Sequence, residues 1–398
     1  MTKKNAVRPQ RICIVRHGYY PDDPRSRKQA LALAEAGYLV EVLCLRDRGQ
    51  LANEVVNGVR VHRIPVMHKR TTTWRYFFQY GLSFVLFSIL LTLLHLRHRY
   101  RCIHVATMPD FLVFTTVFPR ALGAKVLLDL HEPTPELWLT KYGTRLQTLL
   151  RLQTKIEQAA IAYSDATLTV TDELRARVIQ RGAPEKNIFI VRNVCDEQAF
   201  TGYMPPQKVP QDNRFRLVTH GSIEERYGHE EIIRAVACLR DRIPNLHLQI
   251  VGSGEYASEL DVLAKALHCN DIVEFAGYVP HDELVRRLQA ADAGVVAMRQ
   301  TPYSELIDTN KMYEYIVLRK PLIISRLAPV AAQFDDSCMK FFKPGDHEDL
   351  ARCILEVFRD PRRGGTLADN ARRRYETLRW AYGKKDYLRV IERLVARE

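Results

Sequence analysis

Residues 305–321, read as ELIDTNKMYEYIVLRKP, hold the side chains of this sequence that are best spaced for chemistry. Thr309 and Asn310 are good helix N-caps, and the helix they predict has Lys311 in its first turn. Glu314 follows about one turn later on the same face. Free amides and an ammonium at a helix start favour a diphosphate, and a nearby carboxylate favours ribose hydroxyls. The segment has the outline of a nucleotide-sugar site, although an ordinary capped surface helix has the same pattern.

The elements that must position this segment alternate regularly along the chain. Predicted strands at 216–219, 246–251, 272–275 and 294–297 are separated by predicted helices at 230–240, 256–267 and 282–290. This alternation predicts a parallel, doubly wound sheet, in which ligands bind at the carboxyl ends of the strands. Gly221, Arg226, Gly254, Gly277 and the 305–314 segment all fall at those ends.

The order and spacing of these motifs resemble a GT-B glycosyltransferase of family four, the retaining enzymes that use nucleotide sugars. The carboxyl-terminal motifs are HGSIEERYG, LQIVGSGEYASEL, VEFAGYVPHDEL, ADAGVVAM and TNKMYEYIVLRKPLI. The amino-terminal motifs are RICIVRHG, VLLDLHEPTPE and SDATLTVTDEL. The resemblance runs from about Arg11 to Leu394 and implies an α/β protein with two Rossmann-like, doubly wound domains that face each other across a cleft.

The resemblance also implies a mechanism in which the nucleotide diphosphate leaves from the face that the acceptor hydroxyl attacks. Arg226 and Lys311 would stabilise the charge on the leaving diphosphate. Glu314 would hold the ribose, and His131, after a predicted strand at 126–130, would help to orient the sugar. Further contacts to the nucleotide sugar are assigned to Gly221, Gly254, Gly277, Glu305 and Asn310. The acceptor-side candidates are His17, Gly18 and Glu132.

The sequence departs from the family pattern at one glutamate and in one loop. The family has two glutamates with seven residues between them, but the position that should pair with Glu314 holds Leu306. Glu305 and Asp308 are the neighbouring carboxylates that could contact the donor sugar instead. Of the family's two basic residues in the first loop, only Arg226 is carried over, and it lies one residue before its usual place.

Three other functions fit parts of the sequence. Residues 252–257 match G-x-G-x-x-A, a dinucleotide fingerprint, but the next strand ends in Ala276 and Gly277 rather than in an acidic residue, which disfavours a dehydrogenase. A sugar-nucleotide epimerase and a catalytically silent binding protein share the fold and remain alternatives. The sequence has no Asp-x-Asp motif, so no metal cofactor is expected and the basic side chains would replace a divalent ion.

The positive charge is concentrated in the amino-terminal half. Residues 1–200 hold 29 of the 59 Lys and Arg but only 17 of the 46 Asp and Glu, so they carry +12 of the net +13. Such a surface favours anionic lipid headgroups or a lipid-linked diphosphate acceptor. No nucleic-acid-binding motif accompanies the charge, and no nucleic-acid partner is expected.

An uncharged, apolar segment at 77–94 is almost long enough to span a membrane. A single span would place strands of one predicted sheet on opposite sides of the bilayer, so spanning is excluded. A buried core helix and a helix that contacts the membrane interface both remain possible. The aromatic residues Phe77, Phe78 and Tyr80 at its start and the arginines after it favour peripheral contact.

Length and cysteine pattern suggest the remaining organisation. The 398 residues are expected to form an acceptor-side domain at 1–203, a nucleotide-sugar domain at 204–378 and a final helix at 379–398 that packs back on the first domain. The linker is predicted at 202–213. None of the eight cysteines forms a Cys-x-x-Cys pair, which indicates a reducing compartment. A cytoplasmic location at the inner membrane face is expected.

Overall fold

The computed structural model describes residues 9–66, 73–201 and 212–396. Contacts divide the chain into two compact units, Met1–Asn193 with Ala381–Glu398, and Val194–Trp380. Each unit is built on one mainly parallel sheet with helical connections, which confirms the predicted fold class of two Rossmann-like α/β domains. The linker predicted at 202–213 lies almost wholly outside the described residues.

The first unit contains an eight-stranded sheet in the order β3-β4-β2-β1-β5-β6-β7-β8. Its strands are β1 (Arg11–Tyr19), β2 (Leu39–Leu45), β3 (Asn53–Val56), β4 (Val59–Ile64), β5 (Cys102–Ala106), β6 (Lys125–Asp129), β7 (Ala166–Thr169) and β8 (Ile188–Ile190). Its helices before the second unit are α1 (Pro24–Glu35), α2 (Thr73–His98), α3 (Val117–Ala121), α4 (Thr134–Tyr142), α5 (Gln147–Tyr163) and α6 (Asp172–Gln180). All neighbouring strands are parallel except the β3–β4 pair.

Continuous apolar runs place β1, β5 and β6 at the centre of this sheet. Ile12, Ile14, Ile103 and Leu127 are fully buried, as expected of parallel strands that are covered on both faces. β1 continues through Tyr19, so His17 and Gly18 belong to the strand itself. These two acceptor-side candidates therefore do not lie in a loop after the strand.

The second unit contains a six-stranded, fully parallel sheet in the order β11-β10-β9-β12-β13-β14. Its strands are β9 (Phe215–His220), β10 (Leu246–Val251), β11 (Val273–Gly277), β12 (Ala293–Val296), β13 (Leu322–Ser325) and β14 (Lys340–Phe342). Its helices are α7 (Glu197–Thr201), α8 (His229–Leu239), α9 (Ala257–Ala266), α10 (His281–Ala290), α11 (Asn310–Val317), α12 (Ala328–Ala331), α13 (His347–Arg359) and α14 (Pro361–Tyr375).

This strand order reverses between β9 and β12, where the connections leave in opposite directions. In doubly wound sheets that reversal opens a crevice at the carboxyl ends of the two central strands. The loop after β9 and the segment that leads from β12 to α11 therefore meet at the place where the fold itself favours a ligand. Both segments were singled out by the sequence analysis.

The last helix, α15 (Trp380–Val395), packs on the sheet of the first unit. The Tyr387 hydroxyl lies 2.9 Å from His104 Nδ1 on β5, and Gln10 Nε2 donates to the Val395 carbonyl at 3.3 Å. Tyr387 is fully buried, so this helix is part of the core of the first unit.

Candidate functional site

Helix α11 begins at the carboxyl edge of the second sheet. Thr309 is its N-cap, with an extended backbone, but the Thr309 side chain makes no capping hydrogen bond. Asn310 is the first helical residue, and its Oδ1 atom is buried without a hydrogen-bond partner among the described residues. The first turn of α11 is therefore not closed by the side chain of its own cap, which leaves its amides suited to an external anion.

Lys311 extends from this first turn across the loop that follows β9. Its Nζ atom lies 3.8 Å from the centre of the Tyr227 ring. Gly221 has φ +103°, and a Cβ atom there would lie 2.4 Å from Lys311 Cε, so the glycine makes room for the lysine. Burial lowers the pKa of Lys311 to about 8, while Glu314 acts in the opposite direction.

Arg226 approaches the same tyrosine from the loop after β9. Its guanidinium carbon lies 5.0 Å from the Tyr227 ring centre and 5.1 Å from that of Tyr303. One guanidinium nitrogen pairs with Glu224 at 3.1 Å, and Nε is buried without a hydrogen-bond partner in the described part of the chain. The two cations predicted from the sequence thus share one aromatic contact.

Glu314 lies one turn after Lys311 and is held by a histidine that the sequence analysis did not assign to the site. His220, the last residue of β9, places Nε2 2.5 Å from Glu314 Oε2 and Nδ1 3.1 Å from the Tyr315 hydroxyl. The Tyr315 hydroxyl donates to the Val218 carbonyl at 2.7 Å. The one sequence signal for His220 was its place at the strand end, directly before Gly221.

The glycines after β9 and β10 bring their two loops into backbone contact. A Cβ atom at Gly252 would lie 1.9 Å from the Gly221 carbonyl oxygen, and one at Gly254 would lie 2.0 Å from that of Ile223. The Ile223 amide also donates to the Ser253 carbonyl at 3.0 Å. Packing between the two loops therefore requires glycine at positions 252 and 254, whether or not a ligand also approaches them.

Gly277 and Gly228 also have a left-handed backbone at this edge. Gly277 ends β11 with φ +67° and open space at its Cβ position. Gly228 has φ +63°, and a Cβ atom there would lie 1.8 Å from the Ala297 carbonyl oxygen, directly after β12. The loop after β9 therefore has no room for a side chain at position 228.

The three positions considered for the sugar carboxylate have different surroundings. Leu306 is buried, and Glu305 is partly buried. Asp308 is buried and accepts hydrogen bonds from the Tyr313 hydroxyl at 2.5 Å and from Gln333 Nε2 at 2.9 Å. Asp308 thus has a structural role at the start of α11, and Glu305 remains the candidate for a sugar contact.

His131, in the first unit, lies directly beyond β6 and has both ring nitrogens engaged by the protein. Arg16 Nη1 donates to His131 Nε2 at 3.1 Å, so Nδ1 carries the proton and donates to the Asp129 carbonyl at 3.2 Å. Burial, followed by the Arg16 charge, lowers the pKa of His131 to about 4. The imidazole is neutral at pH 7, but a sugar hydroxyl could bind Nε2 only by replacing Arg16.

Arg16 was not singled out from the sequence, yet it organises this part of the first unit. Its Nε atom lies 2.8 Å from Asp23 Oδ2, and its guanidinium also donates to the Thr107 carbonyl. Asp129 beneath it is buried and accepts from Arg25 at 2.7 and 2.8 Å. Charged groups of β1, β6 and α1 therefore meet around His131.

The three acceptor-side candidates lie on β1 and beside His131. The His17 ring stacks on Tyr80 with 4.5 Å between ring centres, and its Nε2 atom lies 3.3 Å from Ser83 Oγ. His17 thus links β1 to α2. A Cβ atom at Gly18 would lie 3.3 Å from Arg16 Nε, and Glu132 is partly buried directly after His131.

Helix α2 exposes a continuous apolar stripe. Its members, between 40% and 66% exposed, are Phe78, Leu82, Val85, Ile89, Leu93 and Leu96. Their spacing of three or four residues places them on one face, while Phe87 and Leu91 on the other face are fully buried. Val117, Phe118 and Leu122, at helix α3 that contacts α2, are exposed as well.

These exposures settle what kind of helix α2 is. By length and composition Phe78–His98 could cross a membrane. Only 22% of this apolar stretch is buried, so α2 is not a core helix. The strands before and after it, β4 and β5, belong to one sheet, which argues against a span. Tyr80, predicted as a lipid contact, is partly buried against His17, and the Phe77 side chain lies outside the described residues.

No group of three or more His, Cys, Asp or Glu side chains is placed to hold a metal ion within residues 9–66, 73–201 and 212–396. At the carboxyl edge of the second sheet, the cations Arg226 and Lys311 lie close to the carboxylate of Glu314. That arrangement can balance the charge of a diphosphate and accept hydrogen bonds from vicinal hydroxyls.

Comparisons with known protein families agree with this geometry. Residues 23–194 match the family described as "Glycosyl transferase 4-like domain", and residues 204–374 match "Glycosyl transferases group 1". Among curated proteins, a glycogen synthase of Mycobacterium tuberculosis is 24% identical over 225 residues, which are 55% of this chain and 51% of that protein. The chain thus matches about half the length of this curated relative.

Two solved structures share the whole fold. Sucrose-phosphate synthase from Thermosynechococcus elongatus has a TM-score of 0.75 at 19% identity, with 97% of this chain and 99% of that chain covered. Anabaena Alr3699/HepE in complex with UDP-glucose has a TM-score of 0.74 at 15% identity, with 96% and 99% covered. At these identities the likeness establishes the fold.

Proposed function

The chain belongs to the glycosyltransferases with the GT-B fold, and we propose that it is a family-four enzyme that transfers a sugar with retention of configuration. Its donor in this proposal is a nucleoside-diphosphate sugar, and its acceptor is a lipid-linked or saccharide hydroxyl. A role in glycolipid or polysaccharide synthesis would follow. The UDP-glucose bound in the Anabaena structure supports the donor class.

One observation carries the proposal: Arg226 and Lys311 lie against the same Tyr227 ring at the carboxyl edge of the second sheet. The step that needs help in glycosyl transfer is the departure of the diphosphate, which gains negative charge as the bond to the sugar breaks. Two preorganised cations in a partly buried site stabilise that charge without reorganisation. In this proposal they do so without a resident metal ion.

Glu314 would fix the donor by accepting hydrogen bonds from its ribose. It lies on the same helix face as Lys311, so the two groups can bind adjacent parts of one nucleotide. Glu305 is the proposed contact to the donor sugar. His131 in the first unit, neutral and oriented by Arg16, would help to orient the sugar. The proposed acceptor-side groups are His17, Gly18 and Glu132.

The test of the function is turnover of nucleotide sugars by the purified chain. Thermal-shift screening against UDP, GDP, ADP and CMP identifies the base, because a ligand at a hundredfold its Kd adds about 2.7 kcal/mol of stability. Release of the nucleotide is then measured with and without saccharide and lipid-linked acceptors. Release that depends on an acceptor supports a transferase. Interconversion of sugars without an acceptor would indicate an epimerase, and binding without turnover would indicate a silent binding protein.

Glu314→Gln is expected to weaken nucleotide binding while the fold is retained. Loss of a charged acceptor for the ribose hydroxyls should cost about 1.5–3 kcal/mol. Isothermal titration calorimetry with the nucleotide found in the screen measures this directly. Glu259→Gln, at an exposed glutamate in the first turn of α9, is the matched control and should leave affinity unchanged. Equal affinity in the two variants would remove Glu314 from the site.

Nucleotide affinity is also expected to fall as the pH rises through about 8. The pKa of Lys311 is lowered to about 8, so its positive charge is present below that pH and lost above it. A single proton that is required for binding weakens affinity by up to about tenfold per pH unit above the pKa. Lys311→Arg keeps the charge and should bind with little change between pH 7 and 9.5. A wild-type profile as flat as that of the arginine variant would contradict the prediction.

We propose in addition that the first unit attaches peripherally to an anionic membrane through α2 and α3, at the cytoplasmic face. The apolar stripe and the excess of basic residues in the first 200 residues support this attachment. Exposed Arg97, Arg99 and Arg101 lie directly after the stripe, where they can reach anionic headgroups. A lipid-linked acceptor would be found at the same surface.

A further inference from the structure

The contacts of His220 fix where its protons lie. The Tyr315 hydroxyl has one hydrogen, and it is donated to the Val218 carbonyl at 2.7 Å. The same hydroxyl can therefore only accept from His220 Nδ1, 3.1 Å away, which places a proton on Nδ1. Tyr315 is fully buried and His220 is 4% exposed, so solvent does not compete for these bonds.

The other ring nitrogen of His220 then determines which oxygen of Glu314 is held by the protein. Nε2 and Glu314 Oε2 are 2.5 Å apart, a distance at which two lone pairs repel, so a proton must lie between them. The hydrogen bond from His220 thus occupies one oxygen of the Glu314 carboxylate. No hydrogen bond engages the second oxygen, Oε1, within the described residues, and the Glu314 side chain is 17% exposed.

The surrounding residues leave the hydrogen bonds between Glu314, His220 and Tyr315 little freedom to rearrange. The Tyr315 ring packs on β12 at Gly294, where a Cβ atom would lie 2.4 Å from the ring. The His220 and Tyr315 rings are in edge contact, with 5.2 Å between their centres. Val218 and His220 belong to β9, whose backbone is fixed by β10 and β12 on either side. The sheet therefore determines where the Glu314 carboxylate can point.

We propose that His220 is a positioning residue that holds Glu314 as a preoriented acceptor for the ribose hydroxyls of a nucleoside diphosphate. The inference rests on the proposed function and adds to it the residue that selects ribose. A carboxylate fixed through one oxygen loses less freedom when the ligand binds, so its bond to the hydroxyl contributes more to affinity. Tyr315 and Gly294 keep the histidine in place.

The experiment compares one ligand pair across variants by calorimetry. The probes are the nucleoside diphosphate that most stabilises the wild-type chain, among UDP, GDP, ADP and CDP, and its 2′,3′-dideoxy analogue. The wild-type protein should bind the ribose form about tenfold to a hundredfold more tightly, as expected of a hydroxyl donating to a charged acceptor. His220→Leu should reduce that ratio to within about threefold. His220→Gln, which can still donate to Glu314, should keep most of it.

His247→Gln is the matched control. His247 also faces a glutamate of the same sheet, with Nε2 3.6 Å from Glu274 Oε2, but it lies near the amino end of β10. This variant should keep both affinities. Tyr315→Phe, which removes the acceptor of Nδ1–H and keeps the ring, should lower the ribose preference several-fold, and it decides the matter if His220→Leu does not fold.

Two results would overturn the inference and leave the proposed function in place. If His220→Leu or Tyr315→Phe weakens both ligands equally and the ribose preference persists, the histidine only supports the fold. If the variants bind like the wild type, His220 does not act on Glu314. A wild-type chain that binds none of the four nucleoside diphosphates would instead overturn the proposed function and the inference with it.

Discussion

Arg226→Ala is expected to lower turnover by on the order of a hundredfold or more, while the affinity for the donor falls much less. The guanidinium lies beside Lys311 at the Tyr227 ring, and its Nε atom is buried without a partner in the described chain. A hydrogen-bonding cation held there contributes most when the diphosphate gains negative charge as it leaves. Single-turnover rates and donor Kd values, measured separately, test this difference between transition state and ground state.

Two further variants make the test specific. Arg286→Ala removes an exposed arginine of α10 that pairs with Asp282 and Glu283 on the same helix, and it should leave turnover unchanged. Lys311→Met should be severe as well, and because both cations act on one leaving group, the double variant should lose less than the product of the single losses. If Lys311→Met is severe and Arg226→Ala is silent, the leaving group is stabilised by Lys311 and the role of Arg226 is wrong.

Replacing Ile89 and Leu93 with glutamine is expected to remove the salt-resistant part of binding to anionic vesicles. Both side chains are more than half exposed on the apolar stripe, so their loss should not destabilise the first unit. At about 1 kcal/mol for each half-buried aliphatic side chain, vesicle partitioning should fall about thirtyfold. Sedimentation with anionic vesicles in about 0.1 M and 1 M salt separates the electrostatic contribution, which salt screens.

The matched control is Val262→Gln, which changes an equally exposed valine on α9 of the second unit and should not affect partitioning. Neutral vesicles should bind the wild-type chain far less than anionic ones. Equal binding to both kinds of vesicle, or an unchanged salt-resistant fraction in the double variant, would contradict attachment through the stripe. A water-soluble acceptor would then be favoured.

The sequence predicted the strands and helices around the candidate site of the second unit because their signals are local. The strand at 246–251 was placed at its observed bounds, and the other three strands predicted for this unit lie within about two residues of theirs. Thr309 as the N-cap of α11 follows from residue preference alone. Arg226 and Lys311, 85 positions apart, could be brought together because the resemblance supplied the strand order.

The features of the site that the sequence did not predict depend on contacts between residues far apart in the chain, which no local pattern encodes. His220 on Glu314 and Arg16 on His131 join residues 94 and 115 positions apart, and each needs the register of a particular strand. From the sequence alone Asp308 is a possible ligand contact, but in the structure Gln333 Nε2 donates to its carboxylate. The glycines at 252 and 254 indicate close approach, but a sequence does not say whether the neighbour is a ligand or another loop.

Helix α11 fixes the distance between Lys311 and Glu314 along its axis. Lys311 and Glu314 come from one short helix, so their separation along its axis, about 4.5 Å, is set by the helical rise and cannot change unless the helix unwinds. In the proposed function this spacing suits a ligand whose diphosphate and ribose are adjacent, as they are in a nucleoside diphosphate. A change in ligand length during evolution would therefore require changes in the loops after β9 and β12, because the spacing of the two residues on α11 stays constant.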